Sequence, residues 1–113
     1  MSNIFKKIIN KEIPANFLYE DDLCIAINDI NPVAPVHVLI IPKKEIPTIN
    51  DINEDDINTV GHLVYVAKKI AKKNMIDNDG YRLVFNCNND GGQTVYHLHL
   101  HLLGGKKLNR AIG

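Results

Sequence analysis

The sequence contains little of several features that mark specialised classes of protein. Of its 113 residues only two are cysteines, Cys24 and Cys87, and none is tryptophan. Two cysteines cannot form a disulfide framework or a four-cysteine zinc module, so we interpret both as reduced thiols. Thirteen Lys+Arg balance thirteen Asp+Glu, and without a net charge nothing favours nucleic acid or an anionic membrane as a partner. Any anion-binding site must therefore be local.

Long apolar segments are also lacking. The chain has no run of about 18 apolar residues, the length that crosses a membrane, and its first residues lack the apolar segment of a signal peptide. Hydrophobic residues make up 45% and charged residues 23% of the chain, which is typical of a globular protein. We expect a single domain over residues 1–113, located in the cytoplasm.

A strictly alternating stretch runs from Tyr96 to Leu103, directly before Gly104 and Gly105. Successive side chains of a β-strand point to opposite faces of the sheet. The stretch therefore predicts a strand with three imidazoles on one face and three leucines on the other: His97, His99 and His101 against Leu98, Leu100 and Leu102.

Three interpretations of the histidine face are possible. The histidines could simply lie on a solvated surface. They could bind a metal ion, which would need a further ligand such as His37 or Asp90. They could also perform phosphoryl chemistry, with one imidazole attacking phosphorus while its neighbours bind oxygens or handle a proton.

The rest of the chain predicts an α+β fold with a mainly antiparallel sheet. In chain order, the patterns predict a short helix over residues 4–9, a hairpin of strands at 17–19 and 23–28, a central strand over 36–41 that Pro42 ends, a long helix capped by Asn53, and a strand over 81–86. The long helix is expected to bury an apolar stripe that consists of Ile57, Val60, Val64, Ala67 and Ala71. His62 is expected to lie on the surface of this helix.

The loop over residues 87–94 leads into the histidine strand. Adjacent glycines, Gly91 and Gly92, allow positive φ and bring N–H groups close to a ligand, as in anion-binding nests. His37 interrupts the apolar central strand, and we expect it to face the same site as the three histidines.

With these residues assembled, the chain resembles the histidine triad superfamily and, within it, the histidine triad nucleotide-binding proteins. The signature of the family is His, apolar, His, apolar, His, apolar, apolar, and residues 97–103 match it. The resemblance also covers residues 4–9, 11–14, 19–22, 29–32, 34–37, 41–43, 80–82 and 90–93.

The resemblance implies one long and one short helix and a homodimer in which two five-stranded sheets join. It also implies hydrolysis of the P–N bond in adenosine or guanosine 5′-phosphoramidates and in related acyl- or lysyl-adenylates. A covalent nucleotidyl-histidine would form on the enzyme, and AMP or GMP would be released. Neither a cofactor nor a metal is implied.

Carried over by position, His99 would be the nucleophile and His101 and Asn86 would contact the phosphate or the bridging atom. His37 and His97 would complete the imidazole cluster, and Asp29 would bind the ribose hydroxyls. The remaining nucleotide-binding residues would be Gly92 and Thr94 beside the phosphate, and Phe5, Ile8, Ile27 and Leu39 around the base.

Other functions remain open within and beyond this family. The chain could hydrolyse dinucleoside polyphosphates, transfer nucleotidyl groups from a nucleotidyl sugar, or act as a nucleotide-binding regulator with little activity. Two departures bear on the leaving group: Thr94 stands where serine is common, and the tail over residues 106–113 lacks the Trp and Pro of animal relatives.

Overall fold

The computed structural model describes residues 3–109, which form two α-helices and one five-stranded sheet. The helices are α1 (Ile4–Ile9) and α2 (Ile57–Lys73), and short 3-10 turns lie at Ile49–Asp51 and Glu54–Asp56. The strands are β1 (Phe17–Glu20), β2 (Cys24–Asn28), β3 (Val36–Pro42), β4 (Tyr81–Val84) and β5 (Leu100–Gly104). Their order is β1-β2-β3-β5-β4, and every neighbouring pair is antiparallel. The predicted fold class is confirmed.

The two central strands are β3 and β5, which pair directly. His37 lies opposite Leu103 and Leu39 lies opposite His101 in this ladder. β3 is almost wholly buried, as its continuous apolar run predicts for a strand covered on both faces. The prediction of a central strand ending at Pro42 is confirmed.

β5 is shorter than the predicted histidine strand, since it begins only at Leu100. Its ladder with β3 stops at the pair Ile40–Leu100, although β3 itself continues to Pro42. The N–H of Leu98 instead donates to the carbonyl of Ile46 at 2.7 Å. The alternation of faces nevertheless continues through this segment, because Leu98 packs in the same core as the leucines of β5.

α2 covers one face of the sheet, but with a different stripe from the predicted one. Ile57 and Val64 are exposed by 62% and 42%, so their predicted burial is wrong, whereas Ala67 and Ala71 are buried as expected. The buried set is Leu63, Val66, Ala67, Ile70 and Ala71. Apolar residues form two adjacent stripes on this helix, and packing on the sheet selects the one that contains Leu63.

His62 lies on the flank of α2 and is half-buried, so its assignment to the free surface is wrong. Its Nε2 lies 2.6 Å from Oδ2 of Asp21, and the hydroxyl of Tyr19 donates to the same oxygen at 2.7 Å. Oδ1 of Asp21 accepts from the N–H groups of Leu23 and Cys24 in the hairpin turn. His62 thus links α2 to the turn between β1 and β2.

The opposite face of the sheet carries a smaller apolar cluster and α1. This cluster consists of Phe5, Ile8, Ile25, Ile27, Leu39 and Ile41. The sheet thus has α2 on one side and a groove beside α1 on the other, as the alternating pattern predicted. No helix within residues 3–109 is long and apolar enough to cross a bilayer.

Candidate active site

A cavity of about 630 Å³ opens on the face of the sheet opposite α2, within the size range of small-ligand sites. All eight predicted nucleotide-binding residues line it, as do His99 and His101. Its wall is apolar at one end and polar at the other: Phe5, Ile8, Ile27 and Leu39 against Asp29, Asn86, Gly92, Thr94, His99 and His101. His37 and His97 lie behind this wall.

The ring of His99 is held in a single orientation by the backbone. Its Nδ1 lies 2.8 Å from the carbonyl oxygen of His97. A carbonyl oxygen can only accept, so Nδ1 carries the proton and the neutral ring has its lone pair on Nε2. The Phe5 ring and the imidazole pack in a T-shaped arrangement with centroids 4.9 Å apart. His99 therefore offers an unprotonated nitrogen beside the cavity.

A chain of hydrogen bonds defines the tautomer of His101. The N–H of Val33 donates to Nδ1 of His37 at 3.2 Å, so the proton of neutral His37 must be on Nε2. That Nε2 lies 2.9 Å from Nδ1 of His101, which therefore accepts. His101 consequently carries its own proton on Nε2, as a potential donor to a ligand.

His97 is fully buried, although the alternating pattern places it in the histidine row. Its Nε2 donates to the carbonyl of Pro42 at 2.7 Å, and its Nδ1 accepts from the Asn3 side chain at 2.7 Å. Both ring nitrogens are thus occupied inside the protein. His97 supports the site from behind.

Burial lowers the pKa of all four histidines. For His101 the pKa falls to about 4, and the neighbouring rings of His99 and His37 add to the effect of burial. Burial likewise lowers the pKa of His37, and the carboxylate of Asp29 opposes part of this shift. The pKa values of His97 and His99 are also lowered, mainly by desolvation. Since an unperturbed histidine has a pKa of about 6.5, the cluster is neutral at pH 7.

Asp29 follows the last residue of β2 and is oriented by its surroundings. Its Oδ1 accepts from the N–H of Asn31 at 2.8 Å, and its Oδ2 lies 3.4 Å from Nε2 of His37. The side chain is 20% exposed, so the carboxylate can still accept from a ligand in the cavity.

The glycine-containing loop closes the polar end of the cavity. A Cβ on Gly91 would lie 2.4 Å from the carbonyl oxygen of Cys87, and Gly92 has φ +81°, so both positions require glycine. The N–H of Gly92 donates to the carbonyl of Asn89 at 3.0 Å, and is therefore engaged within the loop rather than presented to a ligand. The amide of Asn86 donates one hydrogen to the carbonyl of Gly91 at 2.7 Å and has a second hydrogen to offer.

Comparison with known proteins agrees with this arrangement. Residues 10–108 match the family model of the HIT domain. The chain belongs to the HIT family. The purine nucleoside phosphoramidase of Escherichia coli strain K12 is 52% identical over 105 residues, covering 93% of this chain and 88% of that protein. The HIT family hydrolase of Legionella pneumophila Philadelphia 1 has a TM-score of 0.95 and 50% identity, covering 99% of this chain and 100% of that one.

A relative without an assigned activity is equally similar. The uncharacterized HIT-like protein of Buchnera aphidicola subsp. Baizongia pistaciae is 52% identical over 108 residues, covering 96% of each chain. The resemblance to the histidine triad superfamily is thus confirmed over nearly the whole length of the chain.

Several residues of this HIT site were missed by sequence reasoning. Asn3 contacts His97, and Val33 contacts His37 through its backbone, which no side-chain pattern reveals. Gln93 is buried and holds the loop, since it accepts from Asn88 N–H and donates to two carbonyls, those of Pro47 and Val95. The segment over residues 13–16 lines the cavity only because the chain folds back after α1.

Two groups of possible metal ligands occur within residues 3–109. One, Asp21 with Cys24 and His62, lies at the hairpin turn, and the other lies in the histidine cluster. Asp29, His37 and His101 place possible ligand atoms within 4.8 Å of one another. However, Nε2 of His37 and Nδ1 of His101 are 2.9 Å apart, and the Val33 contact puts a proton between them. That pair is a hydrogen bond, which leaves neither of these two nitrogens free to bind an ion in this tautomer. Asp90, the other candidate ligand, is exposed in the loop.

Proposed function

We propose that this HIT protein is a purine nucleoside phosphoramidase. It would hydrolyse the P–N bond of adenosine or guanosine 5′-phosphoramidates and of related acyl- or lysyl-adenylates through a nucleotidyl-histidine, releasing AMP or GMP. One observation carries the proposal: the Nε2 lone pair of His99 faces a cavity with one apolar and one polar end. The 52% identity to an enzyme of that name supports it.

The apolar end of the cavity suits a purine. Phe5 and Ile8 from α1 and Ile27 and Leu39 from the sheet would enclose the base, and burial of aromatic and aliphatic surface favours binding. Asp29 would accept from the ribose hydroxyls. The phosphate would then lie at the polar end, near His99 and His101.

In the first step, Nε2 of His99 attacks phosphorus and forms a P–N bond to the ring as the bond to the leaving amine breaks. No metal or strong base is needed, because the ring is already neutral at pH 7. The amine leaves with the proton that the phosphoramidate nitrogen already carries, while the Nε2–H of His101, whose neutral ring is too weak an acid to transfer its proton, donates a hydrogen bond to the phosphate or the bridging nitrogen. In the second step, water attacks phosphorus, the bond to His99 breaks and the nucleoside monophosphate leaves.

Donors must stabilise the charge that develops on the phosphate oxygens. The Nε2–H of His101 and the second amide hydrogen of Asn86 are the side-chain candidates among the described residues. Thr94 is exposed on the cavity wall, where its N–H and hydroxyl can add to them. These donors are held in place before substrate binds, so little reorganisation opposes the reaction.

The decisive experiment follows the covalent intermediate. Purified protein is mixed with adenosine 5′-phosphoramidate, quenched within one turnover and digested, and the peptide with an added adenylyl group is identified by mass spectrometry. We expect the adduct on His99 and release of AMP. An adduct on another residue, or AMP release without any adduct, would contradict the mechanism.

A substrate comparison separates this function from its alternatives. We expect faster turnover of adenosine 5′-phosphoramidate than of diadenosine tetraphosphate or a nucleotidyl sugar. The reverse order would identify a dinucleoside polyphosphate hydrolase or a nucleotidyltransferase. Tight AMP binding with negligible turnover of every substrate would favour a regulatory protein.

We also propose a homodimer in which two sheets join. β4 is the last strand of the sheet, so one edge of Tyr81–Val84 is unpaired within residues 3–109, and unpaired edges favour strand addition. The outer side of α2 exposes Ile57, Val64 and Tyr65, an apolar surface that a second copy would cover. Light scattering should report twice the mass of 12.7 kDa, and Val64→Glu should shift it towards the monomer.

The cellular location is proposed from the cysteines. Cys24 and Cys87 are both free thiols, and burial raises the pKa of Cys24 to about 12, which keeps that thiol protonated and unreactive. A reducing cytoplasm fits both residues. No cofactor or metal, and no nucleic acid or membrane partner, is required for the reaction.

A further inference from the structure

Asn3 uses both ends of its side-chain amide. Its Oδ1 accepts from the N–H groups of Phe5 and Lys6, at 3.0 and 3.3 Å, and so caps α1. Its Nδ2 lies 2.7 Å from Nδ1 of His97. Because two backbone donors face one atom, that atom must be the oxygen, and the nitrogen must be the one that donates to His97.

His97 transmits this contact to the nucleophile. The ring is fully buried between Asn3 and the carbonyl of Pro42, and both of its nitrogens are hydrogen-bonded. The backbone carbonyl of the same residue accepts from Nδ1 of His99, which keeps the lone pair of His99 on Nε2. Without a donor from Asn3, Nδ1 of His97 would be a buried acceptor with no partner, and the ring would have reason to turn.

We propose that Asn3 is a positioning residue: its Nδ2 holds the ring and backbone of His97, and through that backbone the orientation and tautomer of the nucleophile His99. The same side chain joins α1, which carries Phe5, to the histidine segment. It therefore fixes the position of the base-binding wall relative to the reacting nitrogen of His99. The catalytic part of this inference rests on the proposed phosphoramidase function, whereas the positioning of the two rings does not.

Asn3→Ser separates the two roles of the side chain. Serine is as good a helix cap as asparagine, so the cap of α1 and the position of Phe5 are retained. Its single short hydroxyl cannot serve the cap and also donate to His97. Asn10→Ser is the matched control, because Asn10 ends the same helix and its side chain donates a hydrogen bond to exposed Glu12, away from the histidines.

The readouts are steady-state kinetics with adenosine 5′-phosphoramidate and ¹⁵N NMR of the histidine rings. For Asn3→Ser we expect kcat to fall about ten- to a hundredfold, since small misplacements of a reacting group are costly. We expect KM to stay within about twofold, because the base wall is intact. The ring nitrogens of His97 and His99 should move from the pattern of one fixed tautomer towards a mixture. Asn10→Ser should match the wild type in kcat, in KM and in the ring-nitrogen pattern.

Asn3→Asp tests the polarity of the contact. The introduced carboxylate would cap α1 but face Nδ1 of His97 as an acceptor, and so favour a protonated ring. The other charged or titratable groups near this ring are Glu45, Lys6 and His99, and none of them changes. We expect the pKa of His97 to rise in the variant and the acid limb of kcat/KM to move to higher pH.

The possible results are distinct. Asn3 is merely structural, and the proposal is overturned, if Asn3→Ser raises KM without changing kcat. The same holds if the variant melts at a lower temperature while the ¹⁵N shifts of the His99 ring are unchanged. The proposal is also overturned if the two serine variants are indistinguishable. If the wild type releases no AMP, the phosphoramidase assignment fails, and the NMR comparison alone decides whether Asn3 positions His97 and His99.

Discussion

The face of the sheet under α2 and the face beside the cavity are built partly from the same stretch of chain, and they differ in what they bury. On one side Leu98, Leu100 and Leu102 are at most 1% exposed in an apolar cluster with α2. On the other side the histidines that alternate with them are also sheltered, but every ring is hydrogen-bonded.

This difference separates stability from chemistry within a few residues. A leucine in the α2 face contributes through the area it removes from water and the contacts it fills. A histidine in the cavity face contributes to the chemistry through one defined lone pair or one defined N–H. Burial lowers the pKa of the ring and so keeps the ring neutral. We therefore expect substitutions on the α2 face to lower stability but not turnover, and substitutions on the cavity face chiefly to lower turnover.

The largest effect is expected for His99→Asn. The asparagine amide can still donate to the carbonyl of His97, as Nδ1 of the histidine does, but the attacking Nε2 is lost. We expect kcat/KM for adenosine 5′-phosphoramidate to fall at least about a thousandfold, or about 4 kcal/mol of transition-state stabilisation. AMP binding, measured by calorimetry, should persist.

His62→Asn is the matched control for this substitution, because His62 contacts Asp21 on the α2 side of the molecule. Its activity should equal that of the wild type. Near-normal turnover by His99→Asn would remove the nucleophile assignment and with it the contrast between the two faces.

Leu100→Ala probes the other face. The side chain is 1% exposed at the centre of the α2 core, so its removal leaves a cavity. We expect the free energy of unfolding to fall by about 3 kcal/mol in urea titrations. The folded fraction should keep its turnover number. Met75→Ala, at a side chain that is 84% exposed, should change stability by less than about 0.5 kcal/mol.

The ribose contact is expected to have a smaller effect. If Asp29 accepts from the ribose hydroxyls, a 2′-deoxyadenosine substrate leaves part of that carboxylate unpaired, at about 1–3 kcal/mol. We expect kcat/KM to be about ten- to a hundredfold lower for the deoxy substrate than for the ribonucleoside. In Asp29→Ala both substrates should be equally slow, and a preserved preference would place the ribose elsewhere.

Much of this contrast between faces could be predicted from sequence, because a period of two assigns each side chain to a face whatever the strand pairs with. The placing of Leu98, Leu100 and Leu102 together on the face opposite the histidines follows from that rule alone. The set of cavity residues came instead from the family resemblance, since Phe5, Asp29 and Asn86 lie far apart in the chain.

What sequence could not supply depends on tertiary neighbours. The start of β5 at Leu100 depends on the preceding backbone, where the N–H of Leu98 donates to Ile46 rather than to β3. The buried stripe of α2 depends on which of two apolar rows meets the sheet. The hydrogen bond of buried His97 to Pro42 and the tautomer of His101, which Val33 defines through His37, depend on backbone groups of distant residues. The tautomer of His99 depends on a backbone carbonyl two residues away. A side-chain pattern carries no information on such contacts.

The last prediction concerns the dependence of stability on pH. Here the histidines of the cavity face affect stability, the property that the α2 face otherwise determines. Burial lowers the pKa of His101 to about 4 in the folded protein, and the pKa values of His37, His97 and His99 are lowered as well. In the unfolded chain each would titrate near about 6.5. Between these values the unfolded state binds more protons than the folded state, so the free energy of unfolding rises with pH.

The contribution of these rings is therefore complete above about pH 6.5 and is lost as the pH falls towards about 4, where His101 protonates in the fold. Urea unfolding at pH 7 and pH 5 should show lower stability at pH 5, and His101→Asn should reduce that difference. Leu100→Ala should lower stability equally at both pH values, because it removes no titrating group. An equal pH dependence in His101→Asn and the wild type would mean that His101 is not held neutral by burial, and that the cavity face resembles a solvated surface more than the α2 core.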